Sequence, residues 1–340
     1  MSMLTDASLL ATLGWLAASG LLLVWAATRL TRAAEQIATS TGIGQLWVGT
    51  VLLAAATSLP ELVTDITAVR LGASDLAAGD LFGSSLANML ILALLLLLRH
   101  RDTSRWQFGN ELTHTTGLAL ILTALAAMAV LLRPQTTWLG ISPMSLLLVA
   151  IYLLWIRSAF QRDCDTQTDD PSTLLTTPGD KSWHRSGRGF GLAALVILVS
   201  APLFAVAAHR LAILSGLGDT FVGTAVVGLS TSLPELVVSL AALRIGATGL
   251  AVGNLFGSNA FNMLIFLGMD AADPTPIFAA LDPDHAISAL GAIVMMALGL
   301  SAVLRPPRAR FALFKPSGLT LIVAFGTIMV TLLIHTRTGA

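Results

Sequence analysis

Two glutamates lie inside apolar segments, where a carboxylate is unexpected. Glu61 and Glu235 each end a Thr-Ser-Leu-Pro-Glu run, at 57–61 and again at 231–235. An ionisable residue at membrane depth is costly, so it indicates a functional site. The adjacent hydroxyls are hard oxygen ligands of the type that Na⁺ and Ca²⁺ accept, and the proline kinks the helix and frees backbone oxygens. The pattern predicts a cation site built from carboxylate, hydroxyl and carbonyl oxygens.

Both runs belong to a longer duplication. The segment at about 46–92 recurs 174 positions later, at about 220–266, and more than half of the positions are identical. Equivalent carboxylates in a duplicated frame predict one central site that two half-proteins share.

A polar stripe follows each run, with members four residues apart on one helix face. The stripes are Asp80, Ser84 and Asn88 in the first copy and Asn254, Ser258 and Asn262 in the second. Glycines at 79, 83, 253 and 257 allow neighbouring helices to approach closely. Ordinary packing glycines with interhelical hydrogen bonds are the alternative, but the repeated intramembrane glutamate favours cation ligands.

The composition is that of an integral membrane protein. Of the 340 residues, 55% are hydrophobic and 11% are charged, whereas soluble domains carry about 25% charged residues. Ten apolar runs approach the roughly 20 residues that cross a bilayer. The predicted spans are 8–29, 45–70, 75–98, 113–132, 138–160, 190–211, 219–244, 249–269, 284–304 and 312–335.

The basic residues predict the orientation of these spans. Fifteen of the 19 Lys and Arg residues follow odd-numbered spans, which favours a cytoplasmic location for those loops and outward-facing, periplasmic termini. Five helices per half then give two repeats of inverted topology. The first five-helix repeat covers 1–160, a hydrophilic cytoplasmic linker 161–188, and the second repeat 189–340.

The duplicated motifs resemble a known family. TSLPELV followed by GDLFGSSLANM, and TSLPELV followed by GNLFGSNAFNM, look like the two alpha repeats of the sodium/calcium exchanger and cation antiporter superfamily, in its compact prokaryotic form. The resemblance implies an all-α protein of ten transmembrane helices in the inner membrane. It implies exchange of Ca²⁺ for Na⁺ by alternating access, or in relatives for H⁺ or with K⁺ involvement.

The resemblance also implies a set of ion ligands, position by position. The glutamate ligands are Glu61 and Glu235. The hydroxyl ligands are Thr57, Ser58 and Ser84, and Thr231, Ser232 and Ser258; the carbonyl ligands are Ala54 and Gly228; the amide ligands are Asn88 and Asn262. Many members of the family have Asp at the position of Asn262, so this chain departs from the pattern there.

The two copies differ in their acidic residues. Asp65 and Asp80 have the uncharged counterparts Ser239 and Asn254. Under the predicted topology both acids lie on the external side of the site, which predicts that they line an outer vestibule and concentrate cations or protons there. The alternative is that they pair with Arg70 or cap a helix.

Two other classes of protein fit part of the pattern. A channel would also place oxygen ligands at the midplane, although filters are typically symmetric rings across subunits. An intramembrane hydrolase would use Asp80, but the sequence has neither a paired protease motif nor an HExxH run.

The expected partners are Ca²⁺, together with Na⁺ or H⁺, and the lipid bilayer that surrounds the protein. No resident cofactor, nucleic acid or obligatory protein partner is expected.

Overall fold

The computed structural model describes residues 9–41, 45–70, 72–98, 110–168, 182–214, 231–304 and 318–338. Within these ranges the chain forms helices joined by short connections and contains no β-strand. Along the chain the helices are α1 (Leu9–Thr41), α2 (Gln45–Thr57), α3 (Leu59–Arg70), α4 (Ser74–Leu98), α5 (Asn110–Leu132), α6 (Pro143–Thr168), α7 (Ser182–Leu214), α8 (Leu233–Arg244), α9 (Thr248–Asp270), α10 (Ile277–Ala280), α11 (His285–Leu304) and α12 (Gly318–Thr338).

Six of these helices are long and apolar enough to cross a membrane, and α2 with α3 would make a seventh span. Several of them expose large apolar side chains, since Leu10, Leu132, Leu319 and Val323 each expose 60% or more of their surface. Apolar surface of this extent is stable in lipid and not in water. The membrane class predicted from composition is therefore confirmed.

The second predicted span is a broken helix. Its first part, α2, contains a π-helical turn at Gly49–Leu53, and α2 and α3 meet at Ser58 with a bend of 40°. Pro60 explains the break, because its ring clashes with the preceding turn and it has no N–H to donate to the Ala56 carbonyl. The predicted kink at the Thr-Ser-Leu-Pro-Glu run is present.

Among the predicted boundaries that were wrong, two have a clear physical reason. α1 continues to Thr41 rather than ending at 29, because hydropathy detects the apolar part of a helix and not the polar turns beyond it. α6 begins at Pro143 rather than at 138, because Leu139 and Gly140 adopt positive φ angles of 54° and 82°, which no helix accommodates.

The hydrophilic stretch predicted as a linker is entered by helix from both sides. α6 ends at Thr168 and α7 begins at Ser182, while 169–181 lie outside the described residues. The first part of the predicted span at 219–244 also lies outside them, and the structure describes that span from Thr231 onward.

α9 is the most enclosed of the long apolar helices, and α12 is the least. α9 packs against α2, α3, α4, α5, α6 and α8. Its Phe266 ring lies between the rings of Phe82 and Phe278, at centroid distances of 5.8 and 4.8 Å. This position places the polar stripe of α9 against the helix breaks of both repeats.

Candidate functional site

The first Thr-Ser-Leu-Pro-Glu run forms the break itself. α2 ends at Thr57, and Ser58 leaves the helix with φ −89° and ψ 4°. Pro60 then occupies the first turn of α3, where its missing N–H has no helical partner to lose. Glu61 follows in the same turn, where the partial positive charge of the helix N-terminus stabilises a carboxylate.

The second run adopts the same conformation. Ser232 has φ −82° and ψ 5°, and α8 begins at Leu233 with Pro234 in its first turn. Glu235 therefore occupies the position in α8 that Glu61 occupies in α3. The duplicated sequence gives a duplicated local structure.

Glycines bring α2 and α9 into backbone contact. A Cβ at Gly253 would lie 2.5 Å from the Leu46 carbonyl oxygen, and one at Gly257 would lie 2.3 Å from the Thr50 carbonyl oxygen. Gly49 on α2 is confined in the same way by the backbone of α9. The close helix approach predicted from Gly253 and Gly257 is present, and it lets short side chains of the two repeats meet. In the first copy a Cβ at Gly79 would meet only the His285 ring, at 3.6 Å, so this glycine does not mark a backbone contact.

Glu235 is contacted by hydroxyl groups from both repeats. Its side chain is 1% exposed. Its Oε1 accepts hydrogen bonds from Ser58 Oγ and from Ser258 Oγ, each at 3.3 Å. Because Ser58 lies at the break between α2 and α3 and Ser258 lies on α9, this carboxylate joins the two halves of the duplication.

The threonines make equivalent contacts across the two repeats. Thr57 Oγ1 lies 3.2 Å from Asn254 Oδ1, and Thr231 Oγ1 lies 2.9 Å from Asp80 Oδ1. Each threonine hydroxyl also lies beside the middle serine of the same stripe, at 3.5 and 3.3 Å respectively. The threonine of each copy thus contacts the polar stripe of the other copy at the same two positions.

Four carboxyl groups form an acid cluster: Glu61, Asp65, Asp80 and Glu235. All are at most 5% exposed, and Glu61 interacts electrostatically with the other three. Glu61 Oε2 has no hydrogen-bond partner in the described part of the chain, where no Lys or Arg forms an ion pair with any of the four. Buried carboxylates without a protein counter-charge must be balanced by bound cations or protons.

The acid cluster alone is not a complete metal site. Among the described residues no three His, Cys, Asp or Glu side chains are arranged to hold a metal ion. A bound cation must therefore draw on hydroxyl, amide and carbonyl oxygens as well. The Ala54 carbonyl, a predicted ligand, accepts hydrogen bonds from Ser58 N at 3.0 Å and Thr57 Oγ1 at 3.3 Å. Gly228 lies outside the described residues.

All ten predicted ligand side chains are buried. They are Thr57, Ser58, Glu61, Ser84, Asn88, Thr231, Ser232, Glu235, Ser258 and Asn262. Eight of these ten lie in the hydrogen bonds or electrostatic contacts of the cluster. The side chains of Ser232 and Asn262 have no hydrogen-bond partner among the described residues. Cation ligation by all ten stays a prediction.

Asp65 and Asp80 lie inside the protein. Asp65 lies in the middle of α3 and Asp80 in the second turn of α4, so neither caps a helix end, and in the described structure neither pairs with Arg70. Their carboxyl groups interact with each other. At the equivalent positions Asn254 Nδ2 donates to Ser239 Oγ at 3.3 Å. The corresponding positions interact in both copies, through this hydrogen bond in the second and electrostatically in the first, but only the first copy carries two carboxyl groups. Their place in an outer vestibule stays a prediction.

One buried polar residue of the cluster is absent from the sequence predictions. Asn259 Oδ1 accepts a hydrogen bond of 2.8 Å from Asn88 Nδ2, and Asn259 Nδ2 donates to the Ser85 carbonyl at 3.3 Å. Ser85 is the first-copy counterpart of Asn259. The available sequence signal is this difference between the copies, GSS against GSN.

Known proteins share this sequence pattern. The family model for sodium/calcium exchanger proteins matches residues 11–156 and 187–334. The inner membrane protein YrbG of Escherichia coli is 32% identical over 259 residues, which cover 74% of this chain and 76% of YrbG. The sodium/calcium exchanger MaX1 of Methanosarcina acetivorans is 27% identical over 271 residues, 70% of this chain and 76% of MaX1.

The fold is also that of a solved exchanger. A structure of the sodium-calcium exchanger NCX_Mj, soaked with Na⁺ and Ca²⁺, superposes with a TM-score of 0.68, covering 95% of this chain and 98% of that one at 20% identity. The family match extends over both copies of the duplication and includes the two helix breaks with their glutamates. The chain therefore belongs to the sodium/calcium exchanger family of membrane transporters.

Proposed function

We propose that this protein exchanges Ca²⁺ for Na⁺ across the membrane by alternating access at the site around Glu61 and Glu235. Membership of the exchanger family makes the protein a transporter and not an enzyme, and supports its action as a cation/Ca²⁺ antiporter. The observation that carries the proposal is the buried Glu235 carboxylate, which accepts hydroxyl hydrogen bonds from Ser58 of one repeat and Ser258 of the other.

The charges of the two glutamates explain how the ions would be coupled. Two central carboxylates are balanced by one Ca²⁺ or by two Na⁺, so the two loads exclude each other at one site. Hydroxyl, amide and carbonyl oxygens would complete the roughly six to eight ligands that Ca²⁺ takes. An unloaded site leaves two negative charges buried, which opposes movement across the membrane without a bound cation.

The transport cycle needs two related access states. In our proposal the chain forms ten spans as two inverted five-helix repeats, 1–160 and 189–340, joined by the cytoplasmic stretch 161–188, with both termini outside the inner membrane. The equivalent contacts of Thr57 and Thr231 with the opposite stripes support two interchangeable halves. Inverted repeats supply inward and outward states as mirror conformations.

Proton coupling is the second candidate, and a specific observation favours it. Asp65 and Asp80 bring two further carboxyl groups together inside the first repeat, beyond those that one Ca²⁺ neutralises. Protons are one way to balance them.

The same two acids carry the outer-vestibule proposal, because with the proposed topology they lie on the external side of Glu61. Neutralising both as Asp65→Asn and Asp80→Asn should then weaken external Ca²⁺ binding and alter its pH dependence. Unchanged values would contradict the vestibule proposal.

Reconstituted vesicles would test the proposed function. Ca²⁺ uptake driven by an outward Na⁺ gradient is expected, and uptake driven only by a pH gradient would favour the proton-coupled alternative instead. Glu61→Gln and Glu235→Gln should each abolish exchange, because the site loses one of the two negative charges that balance the bound cation. Both variants should stay folded. Glu35→Gln on α1 makes the same chemical change outside the cluster and should exchange normally. Normal Ca²⁺ flux in either of the first two variants would contradict the assignment of the site.

The proposed orientation can be tested with the native chain. Cys164 is the only cysteine and lies in the stretch 161–188. A membrane-impermeant thiol reagent should label it in inside-out vesicles and spare it in right-side-out vesicles. The reverse pattern would place the termini on the cytoplasmic side.

A further inference from the structure

Two asparagines and a backbone carbonyl form a directional chain inside the protein. Asn88 Nδ2 donates to Asn259 Oδ1 at 2.8 Å, and Asn259 Nδ2 donates to the Ser85 carbonyl at 3.3 Å. The Asn88 and Asn259 side chains are at most 1% exposed. The chain therefore links α4 and α9 away from water.

The carbonyl at the end of this chain fixes the orientation of both amides. A backbone oxygen only accepts hydrogen bonds, so Asn259 must turn its NH₂ group toward Ser85. Its Oδ1 then faces Asn88, which must turn its own NH₂ group toward Asn259. Flipping either amide would place two acceptors or two NH₂ groups against each other.

This orientation leaves one particular atom of Asn88 without a partner. Its Oδ1 is buried and has no hydrogen-bond partner among the described residues. A buried amide oxygen without a donor is destabilising unless a water or a cation contacts it. Asn88 lies one turn beyond Ser84, whose hydroxyl contacts Thr231 of the other repeat.

The equivalent amide of the second repeat is not held in this way. Both polar atoms of Asn262 lack a hydrogen-bond partner in the described part of the chain. The residue that corresponds to Asn259 is Ser85, and its hydroxyl donates at 3.0 Å to Leu81 of its own helix. Asn262 can therefore present either its oxygen or its NH₂ group to the cluster.

We propose that Asn259 is a positioning residue that holds the Oδ1 atom of Asn88 ready for the transported cation, whereas Asn262 has no such support. The inference rests on the proposed function and deepens it. It makes the two amide positions of the duplicated site unequal. Asn88 is a preoriented ligand, and Asn262 must be oriented by the ion itself, which adds an entropic cost of ordering.

The effect of replacing Asn259, measured in the wild-type protein and in an Asn88→Asp variant, separates positioning of Asn88 from general structural support. Asn259→Ala should weaken Ca²⁺ binding by about tenfold, since one oriented polar contact contributes about 1 kcal/mol or somewhat more. In an Asn88→Asp background the same change should not weaken Ca²⁺ binding, because a carboxylate presents an oxygen to the ion whichever way it turns, and removing the Asn259 amide also removes an acceptor oxygen that would face it. A merely structural role of Asn259 would cost the same in both backgrounds.

The measurement is the Ca²⁺-dependent rise in melting temperature of the purified full chain in detergent, titrated with CaCl₂ and separately with NaCl. Thr123→Ala is the control, because its buried hydroxyl bonds only to its own helix at Ala119. It should leave Ca²⁺ binding unchanged.

The outcomes distinguish this inference from the proposed function. A large loss of Ca²⁺ binding on Asn259→Ala in the wild-type protein, with little or no loss in the Asn88→Asp variant, supports positioning. Equal losses in the two backgrounds, or no loss in either, in a protein that binds Ca²⁺ would overturn the inference alone. A wild-type chain that neither Ca²⁺ nor Na⁺ stabilises would contradict the proposed function, and the inference would fall with it.

Discussion

Replacing Gly257 with alanine should force α2 and α9 apart. The added Cβ would lie 2.3 Å from the Thr50 carbonyl oxygen, 2.6 Å from its Cα and 2.8 Å from its carbonyl carbon. All three are backbone atoms, so no side-chain rotation can relieve the clash. Restoring ordinary contact distances requires the two helices to separate by about 1 Å.

The expected cost has a structural and a functional part. Overpacking a well-packed interior destabilises by about 1–3 kcal/mol, and a clash with rigid backbone belongs at the upper end. The same displacement moves Ser258 and Asn254 of α9 away from Thr57 at the end of α2, which they contact at 3.5 and 3.2 Å. Hydrogen bonds of these lengths do not survive a further 1 Å, so Ca²⁺ affinity should fall by about tenfold.

Thermal unfolding in detergent and Na⁺-driven Ca²⁺ uptake in vesicles measure the two parts. Gly326→Ala on α12 is the matched control, because nothing lies within 4 Å of its added Cβ. Alanine there should be neutral or stabilise by up to about 1 kcal/mol through helix propensity. A Gly257→Ala protein with wild-type melting temperature and wild-type Ca²⁺ affinity would refute the reasoning, since the helices would then not be in backbone contact.

Two further changes test other contacts. Asp270→Asn should destabilise by about 2–4 kcal/mol, because the buried carboxylate accepts hydrogen bonds from two backbone N–H groups and a serine hydroxyl, and an amide cannot accept all three. Asp273→Asn, in the following loop, is its control in thermal unfolding, and equal melting temperatures would contradict the role of Asp270. Ser58→Ala should reduce Ca²⁺ affinity more than Ser232→Ala, because Ser58 donates to Glu235 whereas Ser232 Oγ has no hydrogen-bond partner among the described residues. A greater loss in the second variant, measured by Ca²⁺ titration, would show that the contact at Ser58 is dispensable.

The sequence was sufficient for features that depend on local chemistry. Composition and apolar run length predict a membrane protein. Proline after Thr-Ser-Leu predicts the helix break, because a missing N–H acts on its own turn whatever surrounds it. The spacing of four predicts that Asp80, Ser84 and Asn88 share a helix face. These properties need no knowledge of which helices become neighbours.

Features that depend on the neighbour across the interface could not be predicted. Asn259 was missed because it lies between two stripe positions, and only the packing of α9 on α4 brings it to Asn88. The start of α6 was misplaced because Leu139 adopts a left-handed conformation that its residue type disfavours. Asp65 and Asp80 were predicted to lie on the same side of Glu61, but the electrostatic interaction of their carboxyl groups depends on the packing of α3 against α4.

The duplication is most informative where its contacts stop being equivalent. The threonine contacts recur in both copies, whereas Ser58 donates to Glu235 and Ser232 Oγ has no partner among the described residues. The serines and glutamates concerned are the same in both copies, so the difference arises from how the halves are packed and from the acids Asp65 and Asp80, which only the first copy carries. In the alternating-access cycle proposed above such a difference is expected, because a symmetric arrangement would face both sides alike. The Ser58–Glu235 contact is therefore expected to be exchanged for Ser232–Glu61 in the opposite state, while the threonine contacts persist in both.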